Sequence, residues 1–446
     1  VGYKLFTKQT IRDIELRDKT VLVRADYNVP VKDGKITDDY RIKQSIPTLK
    51  YLLEQGAKVV VCSHLGRPKG PGDASASLFP VAKRLHELLG REVQFVPDCI
   101  GERVDKAAAS LQPGQVLLLE NLRFHPGEEA NDPKFAKQLA SVADVFVQDG
   151  FGVVHRAHAS TEGVTHLLPS VAGLLLEREV DTITNVMKNP KRPLVAVVGG
   201  AKIADKIDIL HQFIEFADFV AVGGAMANTF LKAEGIDIAA SLVDAEEVSV
   251  AKDIMAKARA EAKRRRFVFY IPQDAVVASK IESKAETRII DFSAHVIADI
   301  ENYPKRPPAS SGHIAEHEMI LDIGPFTGAF IAGSIQLAET VVWSGAMGVT
   351  EVKGLQGPIG PFAHGTDLVM EAMLGQFGNG PNKPFSLVGG GDTVGYVESR
   401  GLVGAFSHVS TGGSASLELM AGRKLPGVEA LLPATDSSKE LPKDDK

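Results

Sequence analysis

Cysteine is nearly absent from this chain, with two in 446 residues, Cys62 and Cys99, each beside apolar neighbours. Two thiols do not make a disulfide framework or a structural zinc site, and a reducing cytosol is the simplest setting. No apolar run approaches the length of a membrane span, and Val1 to Arg17 carries no uninterrupted apolar h-region. Positive charge is not in excess either. Lys and Arg number 50 against 56 Asp and Glu, a net charge of -6, which argues against nucleic acid as a general partner. Any anion site must therefore be a local basic cluster on a mildly acidic body. Several catalytic signatures are also missing: a Walker A loop, a G-x-G-x-x-G after a strand, an H-E-x-x-H pair and a nucleophilic serine elbow. P-loop kinase and dinucleotide dehydrogenase readings lose their support.

What is present is ordinary globular material, 44% hydrophobic and 24% charged. The length suits two or three domains of roughly 150 residues. Short β-branched runs alternate with amphipathic stretches throughout. Strands are expected at Val21–Arg24, Lys58–Cys62, Val116–Leu119, Val145–Gln148 and Leu194–Val198. A second set follows at Phe219–Val222, Phe267–Ile271, Met319–Asp322, Thr340–Trp343 and Phe385–Val388. Their continuous apolarity is that of strands covered on both faces of a parallel sheet. Ile42, Ile46, Leu49 and Leu53 form one helical stripe, with Gly56 just past its end and Pro47 inside it, where the helix starts or kinks. Ile207, Leu210, Ile214 and Ala217 form another. The repeated order predicts an α/β fold of doubly wound parallel sheets, with ligands outside the carboxyl ends of the strands. A domain boundary is expected within Glu177 to Lys191. Ile281 to Glu318, rich in Pro, Ser and charge, reads as an irregular excursion, Gly354 to Pro361 as a loop insertion, and Ala434 to Lys446 as a disordered tail.

Cationic residues recur just after apolar runs in the first half. VRADYNVP holds Arg24, Asp26 and Asn28; Arg41, His64 and Arg67 (SHLGRP), Arg123 (ENLRFHPGE) and Arg156 (HRAH) follow. Separate surface ion pairs would explain any one of them. Several at equivalent strand ends favour an anion site, since guanidinium forks fit carboxylate and phosphate oxygens. In the second half LVAVVGG runs into AKIADK, placing Gly199, Gly200, Lys202 and Lys206 at an expected helix N-terminus, where amides and the helix dipole attract anions. VGGAM (Gly223, Gly224) and VGGGDT (Gly389, Gly390, Gly391, Asp392, Thr393) repeat the arrangement, although each glycine pair also suits a plain tight turn. Asp392 suits Mg²⁺, which takes carboxylate, water and nucleotide oxygens. His155 and His158 read as partners of a neighbouring Arg rather than as metal ligands, His313 and His317 as solvated, and Lys263 to Arg266 as the charged end of a helix.

Taken in order, VRADYNVP, SHLGRP, ENLRFHPGEE, HRAHAST, VVGGAKIADK, VGGAMANTFL, LDIGP, GGGDT and HVSTGGSASLELMAGRKLPGV resemble the phosphoglycerate kinase family, from about Arg24 to Val428. The resemblance implies two Rossmann-like lobes joined by a hinge: residues 1–182 binding the triose acid, 183–412 binding nucleotide, and 413–446 returning to the first lobe. It implies a cytoplasmic glycolytic enzyme, a monomer with no membrane partner. Phosphoryl would pass reversibly between 1,3-bisphosphoglycerate and ADP, giving 3-phosphoglycerate and ATP, with Mg²⁺ and hinge closure. By motif match, Asp26, Asn28, Arg41, His64, Arg67, Arg123 and Arg156 would bind the triose acid. Lys202 would reach the transferred phosphoryl group, with Arg41, Gly390 and Gly391 around it. Lys206, Gly223, Gly224, Ser344, Gly389 and Thr393 would hold nucleotide, Glu351 the ribose and Asp392 the metal. The tryptophan motif departs from the family's W-N-G-P-M-G-V-F-E: Ser344 replaces asparagine, Ala346 proline and Thr350 phenylalanine. Ser414 stands where a glycine is common, and Gln148-Asp149-Gly150 replaces Asn-Asp-Ala. These changes fall chiefly on the nucleotide side and leave the triose residues and Lys202 in place.

Overall fold

The computed structural model describes residues 6–292, 296–298, 313–355, 357–377 and 382–434. The chain forms two compact units, Val1–Thr182 with Arg423–Lys446, and Ile183–Gly422. It passes from one to the other inside the helix Leu174–Lys188, so the charged stretch read as a boundary is helical through most of its length. It returns at Gly422–Arg423, ten residues later than the motif match placed it. The reason is that the helix Ser414–Met420 packs on Ile207–Phe216 of the second unit.

Six strands build the main sheet of the first unit: β1 (Thr20–Arg24), β2 (Lys58–Cys62), β3 (Val93–Val96), β4 (Val116–Leu119), β5 (Val145–Gln148) and β6 (Ser170–Ala172). They lie in the order β3-β4-β2-β1-β5-β6, all parallel. Alternate side chains feed opposite cores. Val21, Val23, Val59 and Val61 join one with Leu49 and Leu85, from the helices Tyr40–Glu54 and Phe79–Leu89. Leu22, Val60, Leu117 and Leu119 join the other with Val104 and Leu139, from Glu102–Ser110 and Pro133–Ala140. Two buried faces remove the need for polar alternation, which is why these strands read as unbroken apolar runs. Each fully buried Val or Leu contributes roughly 1.5–3 kcal/mol. Pro47 lies inside the helix Tyr40–Glu54, which therefore starts well before it.

The second unit holds β7 (Leu194–Val198), β8 (Phe219–Val222), β9 (Val268–Tyr270), β10 (Asp274–Ala278), β11 (Arg288–Asp291), β12 (Val296–Ala298), β13 (Met319–Ile323), β14 (Thr340–Ser344), β15 (Phe385–Gly389) and β16 (His408–Val409). Its main sheet runs β12-β9-β8-β7-β14-β15-β16, parallel except for the edge strand β12. Two expectations are corrected. Met319–Ile323 is no member of the parallel sheet; it pairs antiparallel with β10 in a separate three-stranded sheet, β11-β10-β13. Within the stretch read as irregular, Arg288–Asp291 is a strand of that small sheet, because its backbone completes the free edge of β10, and Val296–Ala298 is the edge strand β12 of the main sheet. The remainder of that stretch around 299–312 lies outside the described residues, as does the tail 435–446. His313 and His317 are exposed, and the described part of Gly354 to Pro361 is loop. The helix Glu247–Arg264 ends in the basic run, with Arg264 and Arg265 both paired to Glu261.

Candidate functional site

In each main sheet the strand order reverses direction once, beside β1 and β5 in the first unit and beside β7 and β14 in the second. Such reversals leave a crevice at the strand carboxyl ends. In the first unit Arg24 closes β1 and is 1% exposed. A guanidinium so deep needs partners. Its Nε donates to Ser160 Oγ at 2.7 Å, one terminal nitrogen donates to the Ala25 carbonyl, and the other lies 3.2 Å from His64 Nδ1. Ser160 in turn donates to buried Glu128, from Oγ at 2.5 Å and from its amide at 3.0 Å. Because Arg24 supplies the hydrogen to Nδ1, the proton of a neutral His64 sits on Nε2. Burial holds His64 neutral, its pKa pushed well down despite the opposing pull of Asp26.

Asp26 and Asn28 follow in the loop after β1. Burial pushes the Asp26 carboxyl up, but Arg41, His64, Arg24 and the Asn28 amide together leave it below the usual range. Arg41, in the first turn of Tyr40–Glu54, donates from one nitrogen to both Asp26 oxygens (3.1 and 3.3 Å) and to the Asn28 carbonyl (3.2 Å). Gly66 ties two loops together: its amide donates to Asn28 Oδ1 at 2.8 Å and its carbonyl accepts from Arg123 at 2.9 Å. Buried Asn121 holds the same loop, bonded to both the amide and the carbonyl of Leu65. Burial lowers the Arg123 pKa, and Arg24 and Arg156 are close enough to add to the lowering. Arg67 and Arg156 are exposed, Arg156 donating from Nε to His155 Nε2 at 3.2 Å. Burial and Arg156 push His155 down to about 4, and burial with Arg123, Arg24 and Arg156 does the same to His158. Both are therefore neutral near pH 7, and among the described residues neither belongs to a three-ligand cluster.

In the second unit the helix after β7 begins at Ile207, so Gly199, Gly200 and Lys202 do not stand at its N-terminus. The segment between them is a turn whose Ile203 and Ala204 amides donate to Glu247 at 3.0 and 2.8 Å. That carboxylate, supplied from far along the chain, takes the amides that sequence reading offered to an anion. Lys202 is exposed. Lys206 is buried, with Nζ donating to Ser344 Oγ at 2.6 Å, and burial brings its pKa down to about 8 against Asp392 and Asp205.

The glycines serve close backbone packing. A Cβ on Gly199 would lie 2.1 Å from the Ala346 oxygen, one on Gly345 (φ +102°) 2.1 Å from the Gly199 oxygen, and one on Gly223 2.5 Å from Met347 Sδ. The Gly223 and Gly224 amides are taken by the Val198 and Met347 carbonyls. Gly390 (φ +90°) caps the helix Gly391–Ser399, and a Cβ there would sit 3.0 Å from Ser344 Oγ and 3.8 Å from Lys206 Nζ. Gly389 closes β15. Thr393 Oγ1 accepts from the Gly345 amide at 2.6 Å. Asp392 and Glu351 are exposed and border a cleft of about 230 Å³, walled by Leu231, Leu242, Met319, Leu321 and Val349 beside the glycine turns. Asp322, at its floor, accepts from the Ile323 and Gly365 amides, and burial pushes its carboxyl up to about 8. Sequence reading kept Arg24 outside the site set and overlooked Ser160, Glu128, Glu247 and Asp322. Arg24, Ser160, Glu128 and Asp322 did carry a signal, their places inside VRADYNVP, HRAHAST, ENLRFHPGEE and LDIGP, and Glu247 carried none.

The family model described as phosphoglycerate kinase matches residues 11–423. A phosphoglycerate kinase of Moorella thermoacetica is 46% identical over 424 residues, 95% of this chain and 99% of its own length. One of Chloroflexus aurantiacus is 47% identical over 427 residues, 95% and 98% of the two chains. Among solved structures, phosphoglycerate kinase from Coxiella burnetii superposes with a TM-score of 0.77 at 35% identity, and that from Pyrococcus horikoshii with 0.77 at 30%. Each covers 95% of this chain and 98% of its own. Motif order, two doubly wound sheets and these likenesses agree: the chain belongs to the phosphoglycerate kinase family.

Proposed function

We propose that the chain transfers phosphoryl reversibly between 1,3-bisphosphoglycerate and ADP, giving 3-phosphoglycerate and ATP, as a cytoplasmic monomer. The observation that carries the reading is the gathering of Arg24, Arg41 and His64 around Asp26, with Arg123 beside His64, at the carboxyl ends of β1, β2 and β4. With exposed Arg67 and Arg156, this set suits a small polyanion bearing carboxylate and phosphate. The apolar cleft of the second unit suits a nucleotide base, with Glu351 toward the ribose and Lys206, Ser344, Gly390, Gly391 and Thr393 toward the phosphates.

Mg²⁺ fits this donor set. Asp392 offers an exposed carboxylate that accepts no hydrogen bond from the described residues, and Mg²⁺ is held by one or two carboxylates plus phosphates and water. When bound it would neutralise nucleotide phosphate charge. In the ATP-consuming direction the nucleophile is a carboxylate already ionised at neutral pH, so no general base is required. The chain's own task is positioning and charge neutralisation. Lys202 is exposed and free to follow the moving phosphoryl group, Arg41 orients the acceptor, and hinge closure belongs to the same proposal. Arg41→Ala tests it: turnover and 3-phosphoglycerate affinity should both fall, read by steady-state kinetics and calorimetry. Unchanged kinetics would remove Arg41 from the site.

A further inference from the structure

We propose that Asp98, Cys99 and His125 form a binding site for a borderline-soft divalent cation of the zinc class, separate from the sites above. One ligand atom from each side chain lies within 4.8 Å of the other two. A tetrahedral zinc site brings such atoms to about 3.3–3.6 Å, so the widest pair closes by roughly an ångström while the 2.8 Å Asp98–His125 pair opens slightly. Two adjacent parallel strands deliver the three residues: Asp98 and Cys99 follow β3, and His125 follows the turn after β4. Both loops are braced. The Cys99 amide donates to Asp98 Oδ1 at 2.7 Å, the Asp98 carbonyl accepts from the Glu120 amide at 3.1 Å, and the His125 ring packs on Phe135.

The donors are graded in depth. Cys99 is 1% exposed, while the Asp98 and His125 side chains are 44% and 29% exposed, which leaves a fourth position open to water. One thiol, one imidazole and one carboxylate suit zinc-like ions, whereas Mg²⁺ and Ca²⁺ favour all-oxygen sets. A divalent cation bound here would displace the Cys99 proton to solvent and bind the thiolate. The competing account is that Asp98 and His125 form only the 2.8 Å pair seen between Oδ1 and Nε2.

Co²⁺ is the probe. Titrated into the full chain without nucleotide or phosphate, it should produce a near-ultraviolet thiolate-to-cobalt charge-transfer band whose full intensity corresponds to one ion at this site. That band should vanish in Cys99→Ser, persist in Cys62→Ser and be displaced by Zn²⁺. Carboxylate sites elsewhere, Asp392 included, would bind cobalt without it. If Cys99→Ser does not fold, Asp98→Asn and His125→Ala decide, each expected to weaken cobalt binding at least ~10-fold. Absence of the band in the unsubstituted chain, its survival in Cys99→Ser, or undiminished affinity in both other variants would overturn the site.

Discussion

Lys206 keeps a charge in a buried place, and its pKa of about 8 reports the cost. The sign follows from the unfolded value near 10.4. Below pH 8 both states carry the proton and the folded chain bears the full penalty. Between about pH 8 and 10 the folded state sheds its proton first, and stability rises. Catalysis should run the other way. If the ammonium holds nucleotide phosphates, kcat/KM for nucleotide falls above about pH 8 in the free enzyme. Lys206→Arg, which does not titrate there, should be weaker but lack that limb. A pH–rate profile with the same limb in Lys206→Arg would assign it to another group. Ser344 matters through this contact: a hydroxyl where the family has an amide still accepts from Lys206 at 2.6 Å. The cations at the strand ends were legible because few residue types do that chemistry. Glu128, Ser160 and Glu247 were not, since their roles depend on loops brought together only by folding.

The helix Leu174–Lys188 starts on borrowed acceptors. Thr48 Oγ1 takes the Leu174 amide at 3.0 Å, and Asp149 Oδ1 takes those of Leu175 and Leu176 at 3.0 and 3.3 Å. Free helix-start amides are costly when buried, so this cap is expected to matter. Burial pushes the Asp149 carboxyl up to about 7, against Thr48 and the two amides. A raised carboxyl pKa means the folded state holds the proton longer. Its contribution to stability is therefore greatest in acid and is lost from about pH 4 to 7. Asp149→Asn keeps the Oδ1 acceptor and removes the charge, so it should raise Tm at pH 8 and leave it nearly unchanged at pH 4. Thermal melts at the two pH values check this; an equal effect at both would refute the titration. The glycine turns give a second element-scale test. Gly345→Ala combines φ +102° with a 2.1 Å clash against the backbone of Gly199, and should cost at least about 1–3 kcal/mol by chemical unfolding. An unaffected variant would mean the turns yield easily. Most strand positions were legible because two-faced burial leaves unbroken apolar runs; the partly exposed edge strand Val93–Val96 and Asp274–Ala278 of the small sheet were not expected. Sheet membership was not: Met319–Ile323 looks the same in sequence whether its neighbour runs parallel or antiparallel. Ser170–Ala172 and His408–Val409 are too short to carry a pattern.

Each unit holds its own core, and the single tryptophan, Trp343, is buried in the second. Its indole donates to the Gly345 carbonyl at 2.8 Å, so its fluorescence reports the glycine turns directly. Leu85→Ala, in the first core, should cost about 2–5 kcal/mol. The account expects an early circular-dichroism transition in that variant with no matching change in Trp343 fluorescence. Coincident transitions would show that the units unfold as one. At this scale the sequence carried the two-sheet architecture, because alternating strands and helices admit few other packings. The return point at Gly422–Arg423 was hidden, since the packing of Ser414–Met420 on Ile207–Phe216 leaves no compositional mark. The central claim is phosphoryl transfer, and its most direct test is turnover of the purified chain with 3-phosphoglycerate and Mg-ATP, coupled to glyceraldehyde-phosphate dehydrogenase and NADH. The account predicts substrate-dependent loss of NADH absorbance that collapses in Lys202→Ala while calorimetric 3-phosphoglycerate binding survives. No turnover from folded protein with active coupling enzymes, or near-normal turnover in Lys202→Ala, would contradict it.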